Sequence, residues 1–172
     1  MTKGLLLALS LFLLLPLAAT AEDSLAKFDG GIGVIPVSAG VGQAPTAEVV
    51  TRNIVRGVQP PGQLWTIADL KADVKTDGRI HVDGRGLLLA GGNTIGTNAN
   101  QSVHATLLCA NDGNVLHDTG LVFPGLVPLE PNGDFRIDAM LSPLPPNPCT
   151  SAVLLIRNPN GAWFAAGIPK LD

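Results

Sequence analysis

The side chains best suited to metal chemistry are few and lie far apart along the chain. The sequence has three histidines, and a zinc site needs three or four ligands at one point. His104 and His117 lie on the predicted strands 102–110 and 115–123, which a turn could pair and so bring Asp118 near both rings. Because no H-x-x-x-H or Cys/His spacing is present, these histidines are expected to be strand-surface residues. We predict no metal site, with His104, His117 and Asp118 as the candidate ligands should a metal bind.

Motifs for catalysis and cofactor binding are missing from the sequence. No G-x-S-x-G element marks a serine nucleophile, and no spacing singles out the paired carboxylates of a glycosidase. The glycine-rich segment 30–42 precedes no amphipathic helix, which a phosphate-binding loop requires. The Asp-Gly pairs at 77–78 and 83–84 lack the alternating acidic pattern of a calcium loop. We therefore predict no catalytic residues and no cofactor.

The first 21 residues have the organisation of a secretory signal peptide. Lys3 precedes an apolar run from Leu5 to Leu17, and Ala19-Thr20-Ala21 matches the A-x-A cleavage pattern. The alternative is a membrane anchor, but the run is shorter than the roughly 20 apolar residues that span a bilayer. We predict cleavage after Ala21 and a secreted product, extracellular or periplasmic, that does not insert into a membrane.

The composition and charge of the chain limit its partners. Eleven Lys and Arg and fourteen Asp and Glu residues give a formal net charge of −3, and the basic residues are scattered. Nucleic-acid binding needs a clustered Lys/Arg surface, so no nucleic-acid partner is expected. The partner that remains is an unknown protein or glycan.

The two cysteines are better explained by a disulfide than by catalysis. Cys109 and Cys149 both follow the predicted cleavage site, and two cysteines in one exported domain usually pair. The alternative is two buried free thiols. A bridge that closes this loop of ~40 residues would contribute about 4 kcal/mol through chain entropy. We predict a Cys109–Cys149 disulfide.

Short β-rich segments separated by glycine and proline turns fill the rest of the chain. This alternation is typical of an all-β sandwich or barrel. We predict a single antiparallel β-sandwich with Greek-key or immunoglobulin-like connections, about eight or nine strands and one disulfide. Residues 22–46 are predicted to be a flexible lead-in with an edge strand, and residues 47–172 to be the sandwich domain.

The segment 64–89 contains the clearest hairpin. Apolar and polar residues alternate on both sides of Thr76-Asp77-Gly78, so one face of each strand should be buried. A two-residue turn would place Val74 opposite His81 and mix the faces, whereas a three-residue loop with Gly78 left-handed places Val74 opposite Ile80. The polar pairs predicted by this second register are Asp73 with His81, Lys71 with Asp83, and Asp69 with Arg85.

The uncharged polar loop 91–102 is the predicted binding site. It is rich in Asn, Thr and Gly, and loops on a rigid β domain often carry binding residues. Its amide and hydroxyl groups could recognise a sugar or a peptide backbone, while the alternative is a solvated connection between two sheets. The candidate binding residues are Asn93, Thr94, Thr97, Asn98, Asn100 and Gln101.

Four segments between residues 55 and 167 combine turns, core residues and both cysteines. They are GVQPPGQLW (57–65), KTDGRIHVDGRGLLLAGG (75–92), SVHATLLC (102–109) and NPCTSAVLLIRNPNGAWFAAG (147–167). Together they resemble small exported bacterial β-sandwich proteins that have no assigned function. The resemblance implies a fold and an exported location, and it implies no catalytic residues.

These observations predict a secreted, non-enzymatic binding or structural module of the cell envelope or the medium. A small secreted enzyme or an enzyme inhibitor is the alternative. A pocket that gathers His104, His117 and Asp118 would favour the enzyme, and a protruding rigid loop at 91–102 would favour the inhibitor. An exposed apolar patch or a sheet edge used by a partner would favour the binding module.

Overall fold

The computed structural model describes residues 23–43 and 46–170, and the predicted signal peptide at 1–21 lies outside these residues. Thirteen β-strands and one 3-10 turn are the regular elements of this part, which contains no α-helix. Among these described residues, no helix is long and apolar enough to cross a membrane. The all-β prediction is confirmed.

The bounds of the elements are as follows. The strands are β1 (Ser24–Gly33), β2 (Val37–Gln43), β3 (Thr46–Arg52), β4 (Trp65–Thr66), β5 (Asp69–Lys75), β6 (Arg79–Arg85), β7 (Leu88–Leu89), β8 (Ser102–Leu108), β9 (His117–Asp118), β10 (Leu126–Pro128), β11 (Phe135–Met140), β12 (Val153–Arg157) and β13 (Trp163–Pro169). The 3-10 turn, Ala110–Asp112, follows β8.

Nine strands form one antiparallel sheet in the order β10-β8-β12-β13-β1-β5-β6-β11, with β9 paired to β8. Two smaller sheets pair β2 with β3 and β4 with β7. The large sheet is nearly barrel-shaped, because Cα atoms of its end strands β10 and β11 come within 8 Å of each other. These two strands are not hydrogen-bonded neighbours, so the sheet stays open along one seam. It is one curled sheet, and the two separate layers of the predicted sandwich are not distinct in it.

β1 lies in the interior of the sheet, where it pairs with β5 on one side and with β13 on the other. β1, which belongs to the predicted lead-in at 22–46, is thus an interior strand, and the predicted bounds of the lead-in and of the domain stay a prediction. Its glycines have a packing role: a Cβ on Gly33 would lie 2.2 Å from the Trp65 carbonyl oxygen. The dense glycine reflects close approach of neighbouring backbone and not flexibility.

The predicted register of the 64–89 hairpin is confirmed. Val74 pairs with Ile80 and Asp73 with His81, and Gly78 has a left-handed φ of 87°. The side chains of Asp73 and His81 form ion pairs with residues other than each other: Asp73 contacts Lys75, and His81 contacts Asp138. Asp73 and His81 are thus opposite each other in the register, as predicted, but form their ion pairs with Lys75 and Asp138.

The segment 115–123 differs from its prediction as a full strand. Only His117 and Asp118 form β9, and the chain then leaves the sheet as a loop over 119–125. The reason is the pairing of β10 with β8, which places Leu126 opposite His104. Because β10 occupies this part of the edge of β8, the apolar residues at 121–123 are left outside the sheet.

The interior is filled by apolar side chains from both halves of the sheet. Trp65 stacks on Phe164 with ring centroids 4.1 Å apart, and Leu70, Leu107 and Leu154 are fully buried. The predicted disulfide between Cys109 and Cys149 is present, with Cα atoms 5.0 Å apart. It attaches the proline-rich segment before β12 to the end of β8.

Candidate functional site

A groove of about 1000 Å³ lies on the outer side of β5, β6 and β11, under the loop 119–125. It lies between β11 and the loop that leads into β10, next to the gap where these two end strands are not paired. The apolar side chains that line it are Ile80, Val122, Phe123, Pro124, Ala139 and Met140.

Several apolar side chains at the groove are highly exposed to solvent. Phe123 is 81% exposed, Val122 79% and Met140 52%. A single exposed apolar residue is ordinary, but several that surround one concave surface are typical of a binding site. The groove is therefore the exposed apolar patch that the sequence analysis set as the sign of a binding module.

Hydrogen bonds at the base of the loop 119–125 hold its apolar tip in place. The Thr119 hydroxyl donates to the Gly125 carbonyl oxygen at 2.8 Å, and the Gly125 amide donates to the Val122 carbonyl oxygen at 2.8 Å. A Cβ at Gly125 would lie 1.8 Å from the Thr119 carbonyl oxygen, so the base closes only with glycine. The tight base projects Val122 and Phe123 over the groove.

Charged side chains of both signs form the rim of the groove. Lys75 contacts Asp73 at 2.6 Å, His81 contacts Asp138, and Arg79 also lines the groove. Burial alone would raise the pKa of Asp73, but hydrogen bonds from Lys75 and Ser24 and the charges of Lys75 and Lys27 lower it. The rim thus offers paired charges and no field of a single sign.

The strand β11 lines the groove and lies at one end of the large sheet. In the described part of the chain, β6 is the only strand that is hydrogen-bonded to β11. Asp138, Ala139 and Met140 of β11 all line the groove. An open strand edge presents backbone N–H and C=O groups that can pair with another extended chain.

The first of the predicted metal candidates, His104, lies in a buried hydrogen-bond network. Its Nδ1 contacts Asp118 Oδ1 at 2.5 Å, and its Nε2 contacts the Asn158 carbonyl oxygen at 3.1 Å. A carboxylate and a carbonyl both accept hydrogen bonds, so the His104 ring lies between two acceptors. Asp118 also accepts from the Thr106 hydroxyl at 2.9 Å and from Arg157 Nη1 at 3.1 Å.

The carboxyl of Asp118 is tuned by this network. Burial alone would raise the pKa of Asp118, but the hydrogen bond and charge of His104, the Thr106 hydroxyl and the charge of Arg157 lower it. The carboxylate thus lies between the His104 ring and the Arg157 guanidinium, and both contact it. These contacts stabilise the fold where β8, β9 and β12 meet.

His117 has a separate carboxylate partner. Its Nε2 contacts Asp112 Oδ2 at 2.6 Å, and its Nδ1 contacts the Pro143 carbonyl oxygen at 2.7 Å. Burial raises the pKa of Asp112, but the hydrogen bond from His117, the amide of Val115 and the charge of His117 lower it. The structure thus joins Asp118 to His104 and leaves His117 with Asp112, which the sequence analysis did not single out.

Acid is expected to destabilise the fold through Asp112 and Asp118. A carboxyl whose pKa is lower in the folded chain stabilises the fold above the unfolded value, ordinarily 3.8, and loses this effect as pH falls through the folded pKa. The urea midpoint should stay nearly constant from about pH 6 to pH 5 and fall below about pH 4. Asp118→Asn and Asp112→Asn should each make that fall shallower, and an unchanged fall in both variants would contradict the assignment.

The predicted binding loop 91–102 is well anchored. Asn98 Nδ2 donates to the carbonyl oxygens of Leu129 and Glu130 at 2.9 and 3.0 Å. The Thr97 carbonyl oxygen accepts from the Leu89 amide at 2.9 Å. The side-chain amide of Asn98 therefore supports the loop, and the binding role predicted for Asn98 stays a prediction.

A shallow uncharged pocket of about 680 Å³ lies on this loop. Four of the six predicted binding residues line it, and Asn93 and Gln101 do not. Gln101 Nε2 instead contacts the Ala99 carbonyl oxygen at 3.4 Å. The four lining residues are Thr94, Thr97, Asn98 and Asn100.

The sequence analysis missed the apolar groove because it assigned 115–123 to a strand. One signal could have identified the loop: three apolar residues, 121–123, lie between Gly120 and Pro124. A glycine before and a proline after such a short apolar run indicate a loop better than a central strand.

Comparison with protein-family models, with curated proteins and with solved structures finds no match to this chain. The groove and the polar loop are therefore interpreted from their own chemistry.

Proposed function

We propose that the protein is a secreted, non-enzymatic binding module of the cell envelope or the medium, and that its groove holds an extended segment of another polypeptide. The observation that carries this proposal is the position of Val122 and Phe123, both exposed by more than three quarters of their surface. They line the groove together with Asp138, Ala139 and Met140 of β11.

The apolar lining supplies the affinity in this proposal. Full burial of a Val or Phe side chain contributes about 1.5–3 kcal/mol relative to leaving it exposed. A partner that covers Val122, Phe123 and Met140 removes most of their exposed area from water. Association itself costs about 4–15 kcal/mol, so this apolar gain needs further contacts beside it to give a specific complex.

The open edge of β11 favours an extended polypeptide over an apolar small molecule or a lipid. A peptide that adds to a strand edge gains main-chain hydrogen bonds, while its alternate side chains enter the neighbouring pockets. The groove offers both parts, because its lining combines apolar side chains with paired charges. A lipid chain would use the apolar part of the lining alone.

The proposed location outside the cytoplasm has two supports. The segment 1–21 has the pattern of a signal peptide, and the Cys109–Cys149 disulfide suits an oxidising compartment. The bacterial cell envelope or medium follows from the resemblance described above.

Peptides selected from a displayed library on the immobilised protein should carry alternating apolar residues and should depend on the loop 119–125. The Val122→Ser/Phe123→Ser variant should bind a selected synthetic peptide at least about tenfold more weakly in fluorescence anisotropy, because these two side chains are the central anchors. Both positions are exposed, so the variant should keep the wild-type urea midpoint.

Ile95→Ser is the matched control, since Ile95 is 64% exposed and lies on the loop 91–102. This variant should bind the peptide as the wild type does. A library that yields no enriched peptide, or peptides that bind the Val122/Phe123 variant unchanged, would contradict the proposed groove. Peptides that lose affinity with Ile95→Ser would place the site on the polar loop instead.

A further inference from the structure

We infer that Cys109, Asp112, His117 and Cys149 bind one zinc ion when the Cys109–Cys149 disulfide is reduced. Cys109, Asp112 and His117 meet at the 3-10 turn after β8, and the disulfide joins Cys149 of the segment before β12 to Cys109. This site is independent of the groove and uses only one of the three metal candidates identified from the sequence.

The donor atoms are already close together. Cys109 Sγ, a carboxylate oxygen of Asp112 and a ring nitrogen of His117 all lie within 4.8 Å of one another. Zinc–ligand bonds of about 2.0–2.3 Å in a tetrahedron place ligand atoms about 3.3–3.8 Å apart, so small side-chain shifts suffice. Cys149 is the fourth donor in this proposal: its sulfur is bonded to that of Cys109, and it would turn toward the other three donor atoms once that bond is reduced.

The hydrogen bonds around these residues orient them as ligands. His117 Nδ1 donates to the Pro143 carbonyl oxygen at 2.7 Å, which turns Nε2 toward Asp112 Oδ2. The other oxygen, Asp112 Oδ1, accepts from the Val115 amide at 3.2 Å. A histidine that ligates zinc usually has its second nitrogen held in this way by a carbonyl or a carboxylate.

The surroundings also favour a structural metal. Cys109 and His117 are buried, and the Asp112 side chain is 17% exposed. Two sulfurs, one imidazole and one carboxylate are ligands that zinc accepts in closed four-coordinate sites. Zinc would take the place of the proton that now lies between His117 Nε2 and Asp112 Oδ2.

Reduction of the Cys109–Cys149 disulfide by a phosphine, followed by zinc binding, balances in atoms and electrons. The phosphine gives two electrons to the disulfide and leaves as its oxide with the oxygen of water, while two protons complete two thiols. Zinc then displaces the two thiol protons and the Nε2 proton of His117 into solution. The ion replaces the disulfide as the link between the end of β8 and the segment before β12.

The test titrates zinc into the purified protein, with and without phosphine reduction, in competition with a chromophoric chelator. Native mass spectrometry counts the bound ions. The reduced wild type should bind one zinc, and the disulfide-bonded protein should bind it at least about 100-fold more weakly. Loss of a residue that merely holds a metal ligand in place lowers metal affinity about 10–100-fold. His117 and Asp112 are ligands themselves in this proposal, so His117→Gln and Asp112→Asn should each weaken zinc binding at least tenfold.

His104→Gln is the matched control, because His104 is another buried histidine paired with an aspartate but lies outside the donor group. It should bind zinc as the wild type does. Each variant is first checked by circular dichroism in its disulfide-bonded form, and Asp112→Asn serves as the test if His117→Gln does not fold. The inference is overturned if the reduced wild type binds no zinc, if the disulfide-bonded protein binds it as tightly, or if the folded ligand variants bind it unchanged.

Discussion

Replacing Cys109 and Cys149 together by alanine is expected to lower the free energy of unfolding by about 4 kcal/mol. The bridge joins residues that are 40 positions apart, and a closed loop of that length removes much of the freedom of the unfolded chain. The measurement is urea denaturation followed by circular dichroism, with a chelator present so that zinc does not contribute.

Phosphine-reduced wild type provides the control for this change. It should unfold at nearly the same urea concentration as the double variant, because both lack the closed loop and differ only in two sulfur atoms. A loss of less than about 1 kcal/mol in either sample would contradict the entropic account. It would mean that the unfolded chain between the two cysteines is already restricted.

Asp118→Ala is expected to cost about 3 kcal/mol of unfolding free energy, the largest effect of any single charge removal that we predict. The substitution leaves the buried Arg157 guanidinium and the His104 ring without the carboxylate that both contact. Breaking a buried ion pair by removing one partner costs about 3–5 kcal/mol. The lower end applies because Asp118 retains 27% of its side-chain exposure.

Asp138→Ala is the matched control for the Asp118 variant. Asp138 also contacts a histidine and an arginine, His81 and Arg136, but its side chain is 63% exposed. Exposed ion pairs contribute little, so the change should stay within about 0.5 kcal/mol. Equal losses in the two variants would show that burial does not decide the strength of these pairs.

The features that the sequence predicted well are determined by local chemistry. The 64–89 hairpin follows from period-two alternation around a Thr-Asp-Gly loop, and its register is correct to the residue. The Cys109–Cys149 bridge follows from the presence of only two cysteines. In both cases, few alternatives compete with the correct one.

The features that the sequence analysis missed depend on contacts between distant segments. β1 is rich in glycine because Trp65 and Ile67 pack against its backbone, and sequence pattern alone interprets such glycines as flexibility. The groove exists because β10 pairs with β8 and leaves 119–125 outside the sheet. The pair of Asp112 with His117 depends on a 3-10 turn that was predicted only as a hairpin turn.

The pairing of β1 with β13 has a consequence for the order in which the chain folds. It joins Gly31 to Gly167 in the middle of the large sheet, so the central pair cannot form until the final strand has been synthesised. Sheets with such high contact order fold slowly, in about milliseconds to seconds. Until the final strand has been synthesised, the chain can form only more local pairs, such as the β5–β6 hairpin, and the large sheet is completed after synthesis.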